Sequence, residues 1–311
     1  MWDVLGFGAV AVDDLVYLDT YPPIESKAPI REERRDGGGL AGTALVAAAR
    51  LGARAAFAGV LGDDALSCYT IEAFAREGVD CSQVKRQPGA RPIHSVILVE
   101  RSTGRRTVLY NTAGVVSPQI DDFRHAIAHC RVLFVDSTVC EFALEAVRLA
   151  HTLGIPVVAD LDRLPDEPVL ELTRQVDHLI VGITFGALAT GRREPAEIVR
   201  ALYSPGHTAC VVTDGPNGCW YTCCSTGAEI RHLPAFHVQA VDTNGCGDVF
   251  HGAYAASIAR GEPVLRALTV AAATAGLKAT RPGGRNGIPT RADVEQFLYE
   301  HGISGCLRER S

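Results

Sequence analysis

The stretch DTNGCGD at residues 242–248, followed by VFHGAYA at 249–255, carries the strongest structural signal in the chain. The second part is small and largely apolar, which is typical of a helix packed tightly inside a protein. Two glycines, Gly245 and Gly247, lie where that helix would begin. Free backbone N–H groups and the positive end of the helix dipole favour an anion there, and glycine lets the anion approach closely. The sequence therefore predicts a phosphate-binding turn at the start of a buried helix.

The last residue of this turn, Asp248, would lie beside a bound phosphate. A carboxylate in that position can accept a proton from a hydroxyl that attacks the phosphorus. Aspartate is also a favoured capping residue at a helix N-terminus. The local pattern alone therefore leaves a catalytic base and a helix cap as equal alternatives. His251 follows closely and is predicted to be a buried, hydrogen-bonded histidine, since Asp248 already supplies a base.

Short apolar strands alternate with helical segments along most of the chain, which predicts an α/β fold with a mostly parallel sheet. Continuous apolar strands are expected where both faces of a sheet are covered by helices. Glycines such as Gly52, Gly78 and Gly154 stand where helices would end. The predicted strands are 4–10, 55–60, 132–135, 157–159, 179–181 and 210–213, and the predicted helices are 41–51, 67–77 and 141–152.

Two segments break this pattern because their residues alternate between polar and apolar types. The second of them predicts a hairpin with its turn at Ser102–Gly104. Half-exposed strands inserted into a parallel core indicate a small separate sheet, and a flap over an active site is one use for such a sheet. We therefore predict a single domain over residues 1–311, with lid strands from about 14–36 and 91–112.

Composition disfavours several classes of protein. A net charge of −6 and a pI near 5.9 argue against binding to nucleic acid. No segment is apolar over the roughly 18 residues that a membrane span needs, and residues 1–6 predict a strand rather than a signal peptide. The ten cysteines lack the paired spacing of a zinc site, so reduced thiols in a cytoplasmic protein are predicted.

The 242–248 stretch closely resembles the C-terminal signature of the PfkB, or ribokinase-like, carbohydrate kinase family, D-T-x-G-A-G-D. The resemblance implies a three-layer α/β/α fold with a central, mostly parallel sheet and a small β-sheet lid. It also implies ATP-dependent phosphorylation of a hydroxyl group of a small sugar, with Asp248 as the base. The backbone of Gly245, Cys246 and Gly247 would form the anion hole, and ATP and Mg²⁺ are the implied cofactors.

The resemblance extends almost from end to end and implies a set of sugar-binding residues. Residues 8–13 resemble the first strand of the family, and its terminal Asp13 would hydrogen-bond sugar hydroxyls. Gly38 and Gly39 match the di-glycine motif, which lets the lid hinge and brings the backbone close to the substrate. Thr43 stands where the family usually has a substrate-binding asparagine, and it could keep one hydrogen bond with a shorter reach.

A nucleotide-binding loop is implied by the match of Thr213, Gly215 and Gly218 to the family motif T-x-G-x-x-G. These residues would border the phosphates and ribose of ATP. Residues 279–284, which include Gly283, resemble the segment beside the adenine pocket. In some relatives that segment also holds a monovalent cation such as K⁺, so K⁺ is an optional cofactor here.

One family motif is lost. The usual N-x-x-E, which helps to position Mg²⁺ and phosphate, is Gly182-Ile183-Thr184-Phe185 in this chain. Ketohexokinase-like and sulfofructose kinase-like relatives also tend to depart at this point. Chemistry on ATP still needs a divalent ion, so the metal ligands stay unassigned.

Further charged residues follow predicted strands or turns. Asp136 ends a strand where relatives often place an acidic substrate ligand, and Asp160 and Asp162 follow the next strand. A solvated loop carboxylate is an equal alternative for each. Arg105 and Arg106 resemble the family element G-x-R-T, and Arg106 is the candidate to meet an anionic group on the substrate. An exposed surface arginine is the alternative for that position.

Two other functions stay open. A nucleoside kinase of the same fold would need a pocket that stacks a base, and the first lid segment offers few aromatics beyond Tyr17 and Tyr21. A catalytically silent sugar-binding regulator is favoured by the lost N-x-x-E pair and by Thr43, and disfavoured by the intact Asp248. Exposed lid strands invite pairing with a second copy, so a homodimer joined through the lids is predicted.

Overall fold

The computed structural model describes residues 1–103, 105–227 and 229–303 of the 311-residue chain. Gly104, in the predicted hairpin turn, and residues 304–311 of the predicted domain lie outside the described residues. Within the described ranges, a nine-stranded sheet and a separate four-stranded sheet are formed. We call the four-stranded sheet the lid sheet.

The elements have the following bounds. The strands are β1 Trp2–Phe7, β2 Ala11–Leu18, β3 Glu32–Gly38, β4 Ala55–Leu61, β5 Asp80–Arg86, β6 Ile93–Glu100, β7 Arg106–Asn111, β8 Cys130–Asp136, β9 Val157–Asp160, β10 His178–Gly182, β11 Ala209–Thr213, β12 Cys219–Cys223 and β13 Arg231–Leu233. The helices are α1 Leu40–Arg50, α2 Ala65–Arg76, α3 Ile120–Ile127, α4 Cys140–Thr152, α5 Glu167–Gln175, α6 Ile183–Thr190, α7 Pro195–Leu202, α8 Cys246–Ala259, α9 Val264–Ala279 and α10 Arg291–Glu300. In the described part of the chain, no helix is both long enough and apolar enough to cross a membrane.

The central sheet has the strand order β13-β12-β11-β10-β9-β8-β1-β4-β5. Pairing is parallel from β11 to β5, and only β12 and β13 run antiparallel to their neighbours. Apolar residues on one face pack with α1, α8, α9 and α10, and those on the other face pack with α3 to α7. This double coverage explains the continuous apolar strands, and the predicted three-layer α/β/α arrangement is confirmed.

The lid sheet has the order β3-β2-β6-β7, with β2 and β6 parallel and the two outer pairs antiparallel. The first strand of the chain ends at Phe7, not at Val10 as predicted. Gly8 has φ +147°, and a Cβ there would lie 2.1 Å from Oδ2 of Asp136. Asp13 consequently lies inside β2, a lid strand, and not at the end of the first strand.

Helix α8 is buried between α1 and the rest of its layer, as the run of small apolar residues predicts. A Cβ on Gly252 would lie only 2.0 Å from the carbonyl oxygen of Ala44 in α1, so a residue without a side chain is needed there. Nε2 of His251 lies 3.0 Å from the carbonyl oxygen of Ile180 in β10. The N-terminal turn of α8 therefore lies against the central sheet, below the lid sheet.

Candidate active site

A cavity of about 70 Å³, which we call the inner cavity, lies between the lid sheet and the start of α8. It is enclosed mainly by polar side chains and glycine backbone from five segments that are distant in sequence. The lining residues are Asp13, Leu15, Asp36, Gly37, Gly38, Gly39, Thr43, Ile97, Asn244, Gly245, Asp248 and Gly284. The structure therefore brings together the predicted base, one glycine of the predicted anion hole and four of the six predicted substrate-binding residues, namely Asp13, Gly38, Gly39 and Thr43. Arg106 and Asp136 do not line this cavity.

The turn before α8 has the features of an anion site. Gly245 precedes the helix in a left-handed conformation with φ 75°, and no side chain in the described part of the chain caps the helix. The amide of Cys246 donates to the carbonyl oxygen of Thr243 at 3.2 Å. Among the described residues, the amides of Gly247 and Asp248 donate to no acceptor. These two N–H groups are free to bind an anion, whereas the amide of Cys246 is already occupied.

Asp248 is the third residue of α8 and faces the inner cavity, so it does not cap the helix. Burial raises the pKa of its carboxyl group well above the usual value, and the nearby charge of Asp160 raises it further. A carboxylate with a raised pKa is a stronger base toward a hydroxyl proton. The geometry and the electrostatics of this residue therefore both suit general-base chemistry.

A buried pair lies behind the anion site. Nδ1 of His251 is 2.8 Å from the carbonyl oxygen of Gly247. Burial lowers the pKa of this imidazole, and the neutral ring has a single N–H, which donates either to this oxygen or to that of Ile180. Oδ2 of Asp160 is 3.3 Å from Nδ1 of His251, and among the described residues it has no hydrogen-bond partner. Burial raises the pKa of Asp160 well above its usual value. The prediction of a buried, hydrogen-bonded histidine is confirmed.

The sugar-binding candidates meet at the hinge of the lid sheet. Asp13 pairs across the sheet with Asp36, and burial raises the pKa of both carboxyl groups. A Cβ on Gly38 would lie 2.1 Å from Oδ2 of Asp13, so glycine lets the backbone approach that carboxylate. Thr43 is almost fully buried in the first turn of α1, and its amide donates to the carbonyl oxygen of Gly39 at 2.8 Å.

Arg285 is a site residue that sequence reasoning missed. Its guanidinium is buried, with Nη2 donating to the carbonyl oxygen of Gly38 at 2.6 Å and Cζ 5.0 Å from the ring centroid of Phe74. Its positive charge lowers the pKa of Asp13 and of Asp36, against the effect of burial. Arg285 therefore stabilises the backbone of the lid hinge at Gly38. A single arginine in a glycine-rich loop carries no sequence signal for that role.

Asp136 is placed differently from the other candidates. It is fully buried, and it does not line the inner cavity. Its Oδ2 accepts from the amides of Ala9 and Ala41 at 2.7 and 3.2 Å, and its Oδ1 accepts from the amide and hydroxyl of Thr138. With both oxygens occupied, this carboxylate ties β8 to the start of α1 and has no group left for a substrate.

The nucleotide-loop candidates lie at the carboxyl end of β11, outside the lining of the inner cavity. Thr213 ends the strand, and its hydroxyl donates to the carbonyl oxygen of Val181 at 3.4 Å. Gly215 and Gly218 have φ of 48° and 90°, and a Cβ on Gly218 would lie 2.1 Å from the carbonyl oxygen of Leu233. Both glycines are therefore required by the turn itself, whether or not a nucleotide binds.

A second missed residue, Lys278, lies behind the phosphate-binding turn. Its side chain is completely buried, and Nζ donates to the carbonyl oxygen of Asp242 at 2.9 Å. The carboxylate of Asp242 accepts from the amides of Asn244 and Gly283 at 2.8 and 2.9 Å, so it links this turn to the 279–284 segment. Burial lowers the pKa of Lys278. The lysine places a fixed amine next to the turn.

A parallel-sheet core, a lid sheet and an anion-type turn beside a buried carboxylate together define a kinase of the sugar-kinase class. The pfkB family carbohydrate kinase domain matches residues 8–291. The chain therefore belongs to the pfkB family of carbohydrate kinases. The predicted class, an ATP-dependent sugar kinase with a ribokinase-like fold, is confirmed at the level of the family.

Individual relatives are moderately similar over nearly their whole length. An ATP-dependent ribose-1-phosphate kinase of Halopiger xanaduensis is 30% identical over 300 residues, covering 96% of this chain and 98% of that protein. A ribokinase of Haemophilus influenzae is 26% identical over 274 residues, covering 85% and 87%. The solved structure of Arabidopsis thaliana ribokinase complexed with ribose and ATP has a TM-score of 0.85 and 21% identity, covering 95% of this chain and 98% of that one.

Proposed function

We propose that this chain transfers the γ-phosphoryl group of ATP to a hydroxyl of a small sugar bound in the inner cavity. The observation that carries the proposal is that Asp248, the free amides at the start of α8 and the polar hinge of the lid sheet share one cavity. The named relatives act on or bind ribose, ribose 1-phosphate and ATP. Those printed functions support the proposal for this chain.

Each residue of the site has a defined role in the proposed transfer. Asp13 and the backbone at Gly38 and Gly39 hold hydroxyl groups of the sugar, and the lid sheet closes to exclude water. Asp248 accepts the proton of the attacking sugar hydroxyl. The oxygen of that hydroxyl bonds to the γ-phosphorus while the bond between the γ-phosphorus and the bridging oxygen of ADP breaks. The free amides of Gly247 and Asp248 stabilise the charge on the phosphoryl oxygens. Asp136 supports this arrangement by positioning α1, without touching the substrate.

The residues present fit a Mg²⁺ ion that is held mainly by the phosphates of ATP. Gly182 ends β10 and Ile183 begins α6, so the lost N-x-x-E motif leaves no carboxylate at this point. The described residues contain no cluster of three or more metal-ligating side chains. Asp248 lines the inner cavity beside the phosphate-binding turn and is the carboxylate placed nearest to where such an ion would lie. When bound, the ion neutralises phosphate charge.

The nucleotide would bind at Thr213, Gly215 and Gly218, with the adenine near Gly283. This placement is supported by the position of the loop at the carboxyl end of β11, where parallel sheets bind ligands. A nucleoside acceptor is less well supported. The inner cavity is small and, in the described residues, no aromatic side chain lines it, so a base could not stack inside that cavity.

ADP release from the purified protein with ATP, Mg²⁺ and a panel of pentoses, ketohexoses, sugar phosphates and nucleosides tests this function. We expect turnover with a sugar or sugar phosphate, and little with nucleosides. Turnover with nucleosides alone would contradict the proposed acceptor class. ATP binding without turnover on any acceptor, with sugars raising the melting temperature, would favour the silent regulator instead.

We propose that Lys278 makes added K⁺ unnecessary. Its buried amine already contacts Asp242, which bonds to the segment that holds a monovalent cation in some relatives. Turnover is therefore expected to be equal, within a factor of about two, in KCl and in tetramethylammonium chloride at the same ionic strength. A rise of roughly tenfold or more in KCl would contradict this role for the lysine.

We propose that the protein is a homodimer joined through the lid sheets. All six residues of β7 are exposed at the sheet edge, including Val108, Leu109 and Tyr110. An apolar edge strand of this kind favours pairing with a second copy. Sedimentation should give twice the chain mass of 33.1 kDa, and Leu109→Asp should give the single mass. A wild-type monomer at micromolar concentration would contradict the proposal.

The nine described cysteines are all free thiols, which supports a cytoplasmic location.

A further inference from the structure

A wider cleft of about 320 Å³, which we call the outer cleft, lies next to the inner cavity. The two spaces are neighbours, since Leu15, Ile97 and Asn244 line both of them. The other residues of the outer cleft come from the lid strands and from the 241–244 and 282–283 segments. A small sugar in the inner cavity therefore leaves a space several times larger beside it, under the lid sheet.

The acidic groups of the outer cleft already have partners. Asp242 accepts two backbone amides and lies 3.9 Å from the amine of Lys278. Glu32 is paired with Arg34, and Glu100 accepts the hydroxyl of Thr103. These carboxylates are therefore compensated by groups of the protein itself.

The basic groups of the outer cleft are much less engaged. Among the described residues, the Arg106 side chain has no hydrogen bond and no ion pair. It is close enough to the Cys246 thiol and to the Lys278 amine to affect the pKa of each. Arg101 has one ion pair, with Asp19 at 4.0 Å. The charge left available in the cleft is therefore positive.

We infer that the acceptor is an anionic sugar whose phosphate or sulfonate group binds in the outer cleft to Arg106, with Arg101 nearby. This inference rests on the proposed kinase function and narrows its substrate class. An arginine fork can bind such an oxyanion through two parallel hydrogen bonds, and it does so better than a lysine can. The acceptor hydroxyl would remain in the inner cavity beside Asp248. The anion would bind at the two lid arginines, whereas the adenine would lie at the Gly283 side of the same cleft. The anion would then be a specificity element, apart from the reacting atoms.

The test compares kcat/KM for neutral and anionic acceptors in the wild type and in two variants, Arg106→Ala and Arg105→Ala. Ribose is paired with ribose 1-phosphate, fructose with fructose 1-phosphate, and fructose with 6-deoxy-6-sulfofructose. Arg105 is the matched control, because it is the adjacent exposed arginine and does not line the outer cleft. The phosphate and sulfonate arms identify which oxyanion the cleft accepts.

We expect the wild type to prefer an anionic acceptor, and Arg106→Ala to lower kcat/KM for it by roughly 10- to 100-fold. The same variant should change kcat/KM for neutral sugars by no more than about twofold, and Arg105→Ala should change neither. Preference for neutral sugars, with equal effects of the two variants, would overturn the inference and leave the kinase function intact. No turnover with any acceptor by well-folded wild-type protein would overturn both.

Discussion

Asp248→Asn is expected to lower kcat for sugar phosphorylation by roughly 100- to 10,000-fold, the range that general-base catalysis contributes. Asparagine has nearly the same shape as aspartate but cannot accept the hydroxyl proton. Helix α8 should be unaffected, because Asp248 does not cap it. The measurement is the rate of sugar-dependent ADP release at saturating ATP, with the dissociation constant of ATP determined in parallel and expected to be unchanged.

Asp121→Asn is the matched control for this experiment, since Asp121 is an exposed carboxylate on α3 and should leave kcat unchanged. The raised pKa of Asp248 gives a second check: turnover should fall as the pH is lowered through that raised value. The raised pKa of Asp248 affects folding stability in the opposite direction, because ionisation favours turnover but disfavours the fold. An acid whose pKa is raised in the folded state destabilises the fold once it ionises, so Asp248→Asn should unfold no more easily than wild type at neutral pH. More than a tenth of wild-type kcat in the variant would exclude Asp248 as the base.

Gly39→Ala is expected to destabilise the fold and to abolish turnover. The φ of Gly39 is 87°, which costs a residue with a side chain about 1–3 kcal/mol. Its Cβ would also lie 2.4 Å from the carbonyl oxygen of Ala9, which accepts the amide of Gly42 at 3.0 Å. Relieving that overlap costs a further energy of about 1–3 kcal/mol. It also moves the lid hinge away from Asp13. Chemical denaturation and ADP release measure the two effects.

Gly78→Ala separates the two causes. Gly78 has a similar φ of 73°, but a Cβ there would meet no atom within 4 Å. It should therefore show the backbone strain alone, with kcat and KM unchanged. If Gly39→Ala were no less stable than Gly78→Ala and kept full activity, the close approach at the hinge would not matter for function.

The parallel core could be predicted from sequence because its strands are short, apolar and followed by helical periods. Strand β5, Asp80–Arg86, escaped prediction because it lies at the sheet edge and carries charged and polar residues, as edge strands often do. The short antiparallel strands β12 and β13 also escaped, since five and three residues give too little alternation to detect. Local pattern identifies strands whose two faces are buried far better than those at an edge.

Within the site, the residues that could be found by sequence are those set by backbone geometry. Gly245, Gly247 and Asp248 belong to one contiguous turn, so their proximity needs no tertiary information. Arg285 and Lys278 could not be found, because their roles depend on side-chain directions that only packing fixes. Asp136 is the opposite case, a residue that the sequence suggested for the site but that packing uses elsewhere. Its position at a strand end suggested a ligand, whereas its oxygens are used by the backbone of Ala9 and Ala41 and by Thr138.

Phosphorus-31 NMR of a reaction containing the purified protein, Mg²⁺, ATP and an accepted sugar shows where the γ-phosphoryl group goes. If Asp248 activates a sugar hydroxyl in the inner cavity, a new phosphate-ester resonance should grow at the same rate as that of ADP. Inorganic phosphate should stay at the level of the sample without sugar, and both products should be absent with Asp248→Asn. ADP appearing with inorganic phosphate in place of a sugar ester would show hydrolysis of ATP and contradict the proposed transfer.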